Sequence, residues 1–153
     1  MVPVRAVAFD KSPSRNWSIP WHQDRIIAVR ERADIPGFSN WSNKDGVWHC
    51  EPHESILNRM LFVRLHLDDA DQDAGAMEVA VGSEIEGFVE ASSARTVAER
   101  YDGHICTAAR GDVLVLPMLA LHRSLPATNP RRRRVLRIDY ASHPLPAPLN
   151  YAN

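Results

Sequence analysis

The chain has 153 residues, enough for one domain that buries a sizeable core. Hydrophobic residues make up 44% and charged residues 24%, and the formal net charge of −1 gives no expectation of a nucleic-acid or membrane-surface partner. No apolar run is long enough to span a bilayer and no signal-peptide pattern opens the chain, which excludes an integral helical membrane protein.

The two cysteines, Cys50 and Cys106, lie far apart, and reduced thiols in a cytoplasm are the simplest reading. Eleven prolines against seven glycines predict short elements joined by stiff loops, and so a β-rich body. Val2 to Phe9 alternates as a strand until Lys11-Ser12-Pro13-Ser14 breaks it. Ile19 to Val29 is the next extended segment. Arg30 to Pro52 reads as a long polar excursion with turns at Pro36-Gly37 and Asp45-Gly46, and its tryptophans, Trp41 and Trp48, are expected to cover a binding site. Glu54 to Asn58 forms a short helical turn.

Met60 to Asp69 is the cleanest strand, with Leu61, Val63, Leu65 and Leu67 on one face and Phe62, Arg64, His66 and Asp68 on the other. Met77 to Val81 is another strand, and Ser92 to Tyr101 is the one modest helix. Strands over His104 to Ala109, Asp112 to Leu116, Leu119 to Ser124 and Arg133 to Tyr140 follow, before a proline-rich tail. Many short strands between turn signals predict a mainly β sandwich or jelly roll, one domain over 1–153 with one or two short helices.

Candidate site residues stand on this frame. His22 and Asp24 are two apart in an extended segment, so their side chains share a face. With His122 downstream they form two imidazoles and a carboxylate, a triad that suits Fe(II) and leaves coordination positions open. Arg131-Arg132-Arg133-Arg134 follows, and a keto-acid cosubstrate that chelates iron leaves a distal carboxylate suited to a guanidinium. Ser124, two residues after His122, lies on the same side of its strand and can bond that carboxylate too. Arg133 falls on one face of the last strand, and Arg134 falls on the other with Leu136, Ile138 and Tyr140. Apolar alternation therefore favours Arg134 as the buried arginine.

An ordered set of motifs then resembles the phytanoyl-CoA dioxygenase family of Fe(II)/2-oxoglutarate oxygenases. It comprises Phe9-Asp10-Lys11-Ser12-Pro13, Trp21-His22-Gln23-Asp24, Arg64-Leu65-His66-Leu67-Asp68-Asp69, Gly82-Ser83, Arg110-Gly111-Asp112, His122-Arg123-Ser124 and Arg132-Arg133-Arg134-Val135. The resemblance implies a double-stranded β-helix (a cupin-like jelly roll) with iron on His22, Asp24 and His122. It also implies 2-oxoglutarate on Ser124 and an arginine whose family spacing is that of Arg133. Arg134 is the reserve, and Arg64 is a further candidate for cosubstrate or substrate contact. The chain departs from relatives in Gly82-Ser83-Glu84, where a histidine usually follows the serine, and in Ala74-Gly75, where Asn-Gly is usual. It also lacks the N-terminal segment that relatives usually pack on the sheet.

The expected activity is Fe(II)- and 2-oxoglutarate-dependent dioxygenation, a hydroxylation of a small-molecule substrate with O₂ as second cosubstrate. The alternatives are a non-catalytic jelly-roll metal- or ligand-binding protein and a cupin-type metalloenzyme without 2-oxoglutarate. No nucleic-acid or membrane partner is expected, and a homo-oligomer is left open.

Overall fold

The computed structural model describes residues 1–152. Eleven strands and two short helices run in the order β1 (Val2–Lys11), β2 (Ile19–His22), β3 (Ile27–Val29), β4 (Phe38–Lys44), β5 (Val47–Pro52), α1 (Glu54–Leu57), β6 (Met60–His66), β7 (Met77–Ala80), α2 (Ala94–Ala98), β8 (Gly103–Cys106), β9 (Val113–Pro117), β10 (His122–Ser124) and β11 (Arg133–Ala141). A four-stranded sheet in the order β1-β11-β6-β9 faces a second in the order β2-β10-β7-β8, and β3-β5-β4 forms a third. Every pairing is antiparallel, and the architecture is the jelly roll that the strand pattern predicts. Among the described residues no helix is long and apolar enough to cross a membrane.

The first sheet is inverted relative to an ordinary half-buried sheet. Along β11 the buried residues are Arg133, Val135, Arg137, Asp139 and Ala141, while Arg134, Leu136, Ile138 and Tyr140 are only half-buried. Apolar alternation had favoured Arg134 as the buried residue, and this is the reverse. Arg133 is 1% exposed, whereas the Arg134 side chain is 40% exposed and holds Asp68. The physical reason is that the space between the sheets is partly a cavity lined by charge. Asp139 receives Arg5 on one oxygen and Arg137 on the other, at 2.9 and 2.6 Å, and so pays for much of that burial. Leu61, Val63 and Leu65 of β6 are only half-buried, and Val113 and Val115 of β9 are 57% and 52% exposed.

The second sheet obeys ordinary alternation. Trp21 and Leu121 are buried beneath α2 together with Ala94, Val97 and Ala98. Their strand neighbours His22 and His122 therefore point to the other side, into the space between the sheets. The polar excursion between Arg30 and Pro52 is not a loose cover: β4 and β5 form a hairpin across Asp45-Gly46. Trp41 and Trp48 meet edge to face at 6.4 Å and pack on the main core, so burial of their rings explains them.

Candidate metal centre

His22 closes β2 and His122 opens β10, and the two are direct partners in the strand register. Their rings lie 4.3 Å apart. His22 Nδ1 lies 2.8 Å from the Pro20 carbonyl and His122 Nδ1 lies 2.9 Å from the Ala120 carbonyl. A carbonyl only accepts, so each Nδ1 carries the hydrogen and each Nε2 is left as a donor atom for a metal. Asp24 stands just beyond the end of β2, and one ligand atom from each of the three residues lies within 4.8 Å of the others. The donor set fits a divalent ion that accepts imidazole and carboxylate.

Gln23 fixes the backbone between the first two ligands. Its amide donates to Gly87 O at 2.7 Å and Leu119 O at 2.8 Å, and its oxygen accepts from Val89 N at 2.9 Å. All three hydrogen bonds of the amide go to backbone groups away from the ligands, so Asp24 and His22 can share a side outside regular strand geometry. Ser83 performs the same service for the distal ligand, its hydroxyl accepting from Leu121 N at 2.8 Å. The sequence marks neither role, because both depend on carbonyls and amides far along the chain.

Asp24 Oδ2 lies 3.0 Å from His122 Nε2 and accepts from the Arg137 guanidinium. Burial alone raises the pKa of Asp24, but the adjoining His122 ring and the nearby charge of Arg137 more than reverse this. They hold the carboxyl well below its ordinary value, so it is ionised. Burial and the neighbouring His122 lower the pKa of His22, which favours the neutral, metal-binding form.

The residues expected to clamp an anion divide into two groups. Arg133 NH2 donates to Ser124 Oγ at 3.4 Å, and both side chains are buried. The other guanidinium nitrogens, Arg133 Nε and NH1, are buried with no hydrogen-bond partner among the described residues. Arg134 does not join them: its two terminal contacts to Asp68, each 2.8 Å, form a bidentate pair on the opposite face of the sheet. Arg131 and Arg132 pair with Asp71 and Asp10 on the surface. Arg64 is buried and lines the cleft, its Nε also unpartnered, its pKa lowered to about 10 by burial and by Arg133 and Arg137.

Lys11 was missed by the sequence reading. It faces Arg133 directly across β1 and β11, is fully buried, and donates to Leu125 O at 2.6 Å and Ser124 Oγ at 3.2 Å. Its Nζ also lies 4.4 Å from the centre of the Trp17 ring. Burial and the charge of Arg133 lower its pKa to about 8. The only signal for this role is register, which a lysine at the end of a strand does not disclose. The cleft itself holds a cavity of about 70 Å³ between His22, Asp24, His122, Ser124, Arg64 and Arg137, with Phe9, Trp17, Ile19 and Met77 as apolar walls. Trp17 supplies the aromatic wall expected from Trp41 or Trp48.

Comparison with solved structures finds the same fold. AviO1 from Streptomyces viridochromogenes Tue57 superposes with a TM-score of 0.65 at 23% identity, covering 95% of this chain and 52% of its own. EctD from S. alaskensis with bound Fe gives 0.66 at 17% identity, covering 96% and 47%. HygX from Streptomyces hygroscopicus with nickel and 2-oxoglutarate bound gives 0.56 at 14% identity, covering 92% and 57%. The chain thus spans about half the length of these structures. No curated protein matches it. The family model described as phytanoyl-CoA dioxygenase matches residues 3–135, and the chain belongs to that family.

Proposed function

We propose that the protein is an Fe(II)- and 2-oxoglutarate-dependent dioxygenase that hydroxylates a small molecule. The observation that carries this reading is the Arg133 guanidinium, fully buried with two unpartnered nitrogens, behind Ser124, which shares its cleft with a triad of two Nε2 atoms and an ionised carboxylate. A buried guanidinium without a counter-ion is costly, and the carboxylate end of a keto acid supplies what it lacks. His22, Asp24 and His122 hold the metal, with the two histidine tautomers set by Pro20 and Ala120. Arg133 and Ser124 hold the distal carboxylate of 2-oxoglutarate, and Lys11 adds a third donor on Ser124. Phe9, Trp17, Ile19 and Met77 keep water from the reacting end. When bound, Fe(II) and 2-oxoglutarate supply the oxidant from O₂, and 2-oxoglutarate leaves as succinate and CO₂.

Support for the cofactors also comes from the neighbours, EctD with Fe and HygX with nickel and 2-oxoglutarate. Two buried, unpaired cysteines agree with a reducing cytoplasm. The test is calorimetric titration of 2-oxoglutarate into Zn(II)-loaded protein. Arg133→Met is expected to weaken binding about a hundredfold, the scale of removing one partner of a buried charge pair. Arg134→Ala, which loses only a surface pair, leaves it unchanged. Equal affinity in wild type and Arg133→Met, or no binding to wild type, would overturn the reading.

A further inference from the structure

We propose that the substrate carries an anionic group of the carboxylate class and that Arg64 and Arg137 bind it side by side. The inference rests on the oxygenase reading, because it counts the charges that remain once the metal and 2-oxoglutarate have taken theirs.

Arg64 and Arg137 are direct partners across β6 and β11, and both point inward. Like charges directly opposite on one sheet face repel. The pair is also buried, Arg64 at 5% and Arg137 at 2% exposure, which removes the water that would soften the repulsion. Among the described residues, two carboxylates bond this arginine pair, both through Arg137. Asp139 is shared by Arg5 and Arg137, and Asp24 is held by Arg137 and His122.

Asp24 Oδ2 is the oxygen on the metal side, since His122 reaches it through Nε2, the atom that faces the metal. Arg137 NH1 bonds that same oxygen. A metal on Asp24 therefore competes with Arg137 for one atom and takes the counter-charge that Arg137 now uses. Arg5, Arg64 and Arg137 are then left with Asp139 alone, two positive charges in excess.

The 2-oxoglutarate carboxylate does not correct this excess. Its partners are Ser124, which lines the cleft, and Arg133 behind it, four residues along β11 from Arg137, about 13 Å at the rise of a strand. Lys11 is with them, opposite Arg133. Arg64 and Arg137 instead line the cleft beside His22 and Asp24, where a substrate must approach the metal. Arg64 Nε is buried without a hydrogen-bond partner, so the guanidinium of this cleft-lining residue keeps donor capacity that the protein does not use. Arg123, another cation of the cleft wall, is already satisfied by Glu78 at 2.7 Å.

The test uses hexanoate and hexanamide, which match in shape and differ in charge, on protein loaded with Zn(II) and 2-oxoglutarate. Saturation-transfer NMR is expected to detect hexanoate and not hexanamide. The hexanoate affinity should fall about tenfold or more in Arg64→Met and in Arg137→Lys, the effect of losing a hydrogen bond to a charged group. Arg64→Met, which removes a cation with no carboxylate of its own, is also expected to melt higher than wild type, which guards against loss of binding through misfolding. Equal binding of the amide, or hexanoate binding that survives Arg64→Met, would sink the proposal. So would a loss of 2-oxoglutarate affinity in Arg64→Met as large as in Arg133→Met, since Arg64 would then belong to the cosubstrate clamp. Failure of wild type to take up Zn(II) and 2-oxoglutarate appears before any probe is added, and marks failure of the oxygenase reading itself.

Discussion

His22, Asp24 and His122 were legible because their chemistry is rare and their spacing simple; two side chains on one side of an extended segment need little context. Arg133 was legible only through the family motif, since periodicity pointed to its neighbour. Lys11 was not legible at all, because its role exists only where β1 meets β11 beside Ser124. Its depressed pKa gives a prediction with a definite sign. The folded protein holds this proton less tightly than the unfolded chain does, so folding releases it between about pH 8 and the ordinary lysine value. Stability from this group therefore rises with pH across that window and does not fall. Binding of 2-oxoglutarate has the opposite trend, because the anion favours the charged amine. Calorimetry in buffers from pH 7 to about pH 9.5 should show affinity falling as pH passes about 8. Lys11→Met should flatten that step, and an unchanged step in the variant would remove Lys11 from the clamp.

The strands were placed mostly within a few residues, yet the faces of β11 and β6 were harder to assign. Alternation reports two faces and assumes that the apolar one is inside. Here a charge-lined cavity lies between the sheets, so Arg64, Arg133 and Arg137 turn inward while Leu61, Val63 and Leu136 turn out. The excursion before Pro52 was misread for a different reason: polar residues on both faces of a hairpin hide its period, and only Asp45-Gly46 marked the turn. One connection is a sharp test of how elements build the clamp. Gly75 has φ +69°, and an added Cβ would lie 2.6 Å from Leu125 O and 2.8 Å from Lys11 Nζ. Its own carbonyl accepts from Ser124 Oγ at 3.2 Å. Gly75→Ala is expected to cost about 1–3 kcal/mol of stability in denaturant unfolding, the range for a residue forced into a sparsely allowed conformation. It should weaken 2-oxoglutarate binding as well, by pushing Lys11 and the end of β10 apart. A variant with wild-type affinity would show that this crossing does not shape the clamp.

For the molecule as a whole, the inverted polarity of the first sheet links fold to function. Charged residues held between the sheets are stabilising only if opposite charge meets them there, and the protein itself supplies Asp24 and Asp139. In the proposed function the rest comes from ligands, so loading is expected to relieve a cost that the protein alone carries. The fold is shared with longer proteins, of which this chain spans about half. The most direct test of the central claim is an anaerobic titration of Fe(II) and 2-oxoglutarate into the purified chain, followed by visible absorption. A weak charge-transfer band that needs both ligands, and that is lost in His22→Ala and His122→Ala, is the predicted result. Folded protein that binds the metal but shows no band on adding 2-oxoglutarate would contradict it.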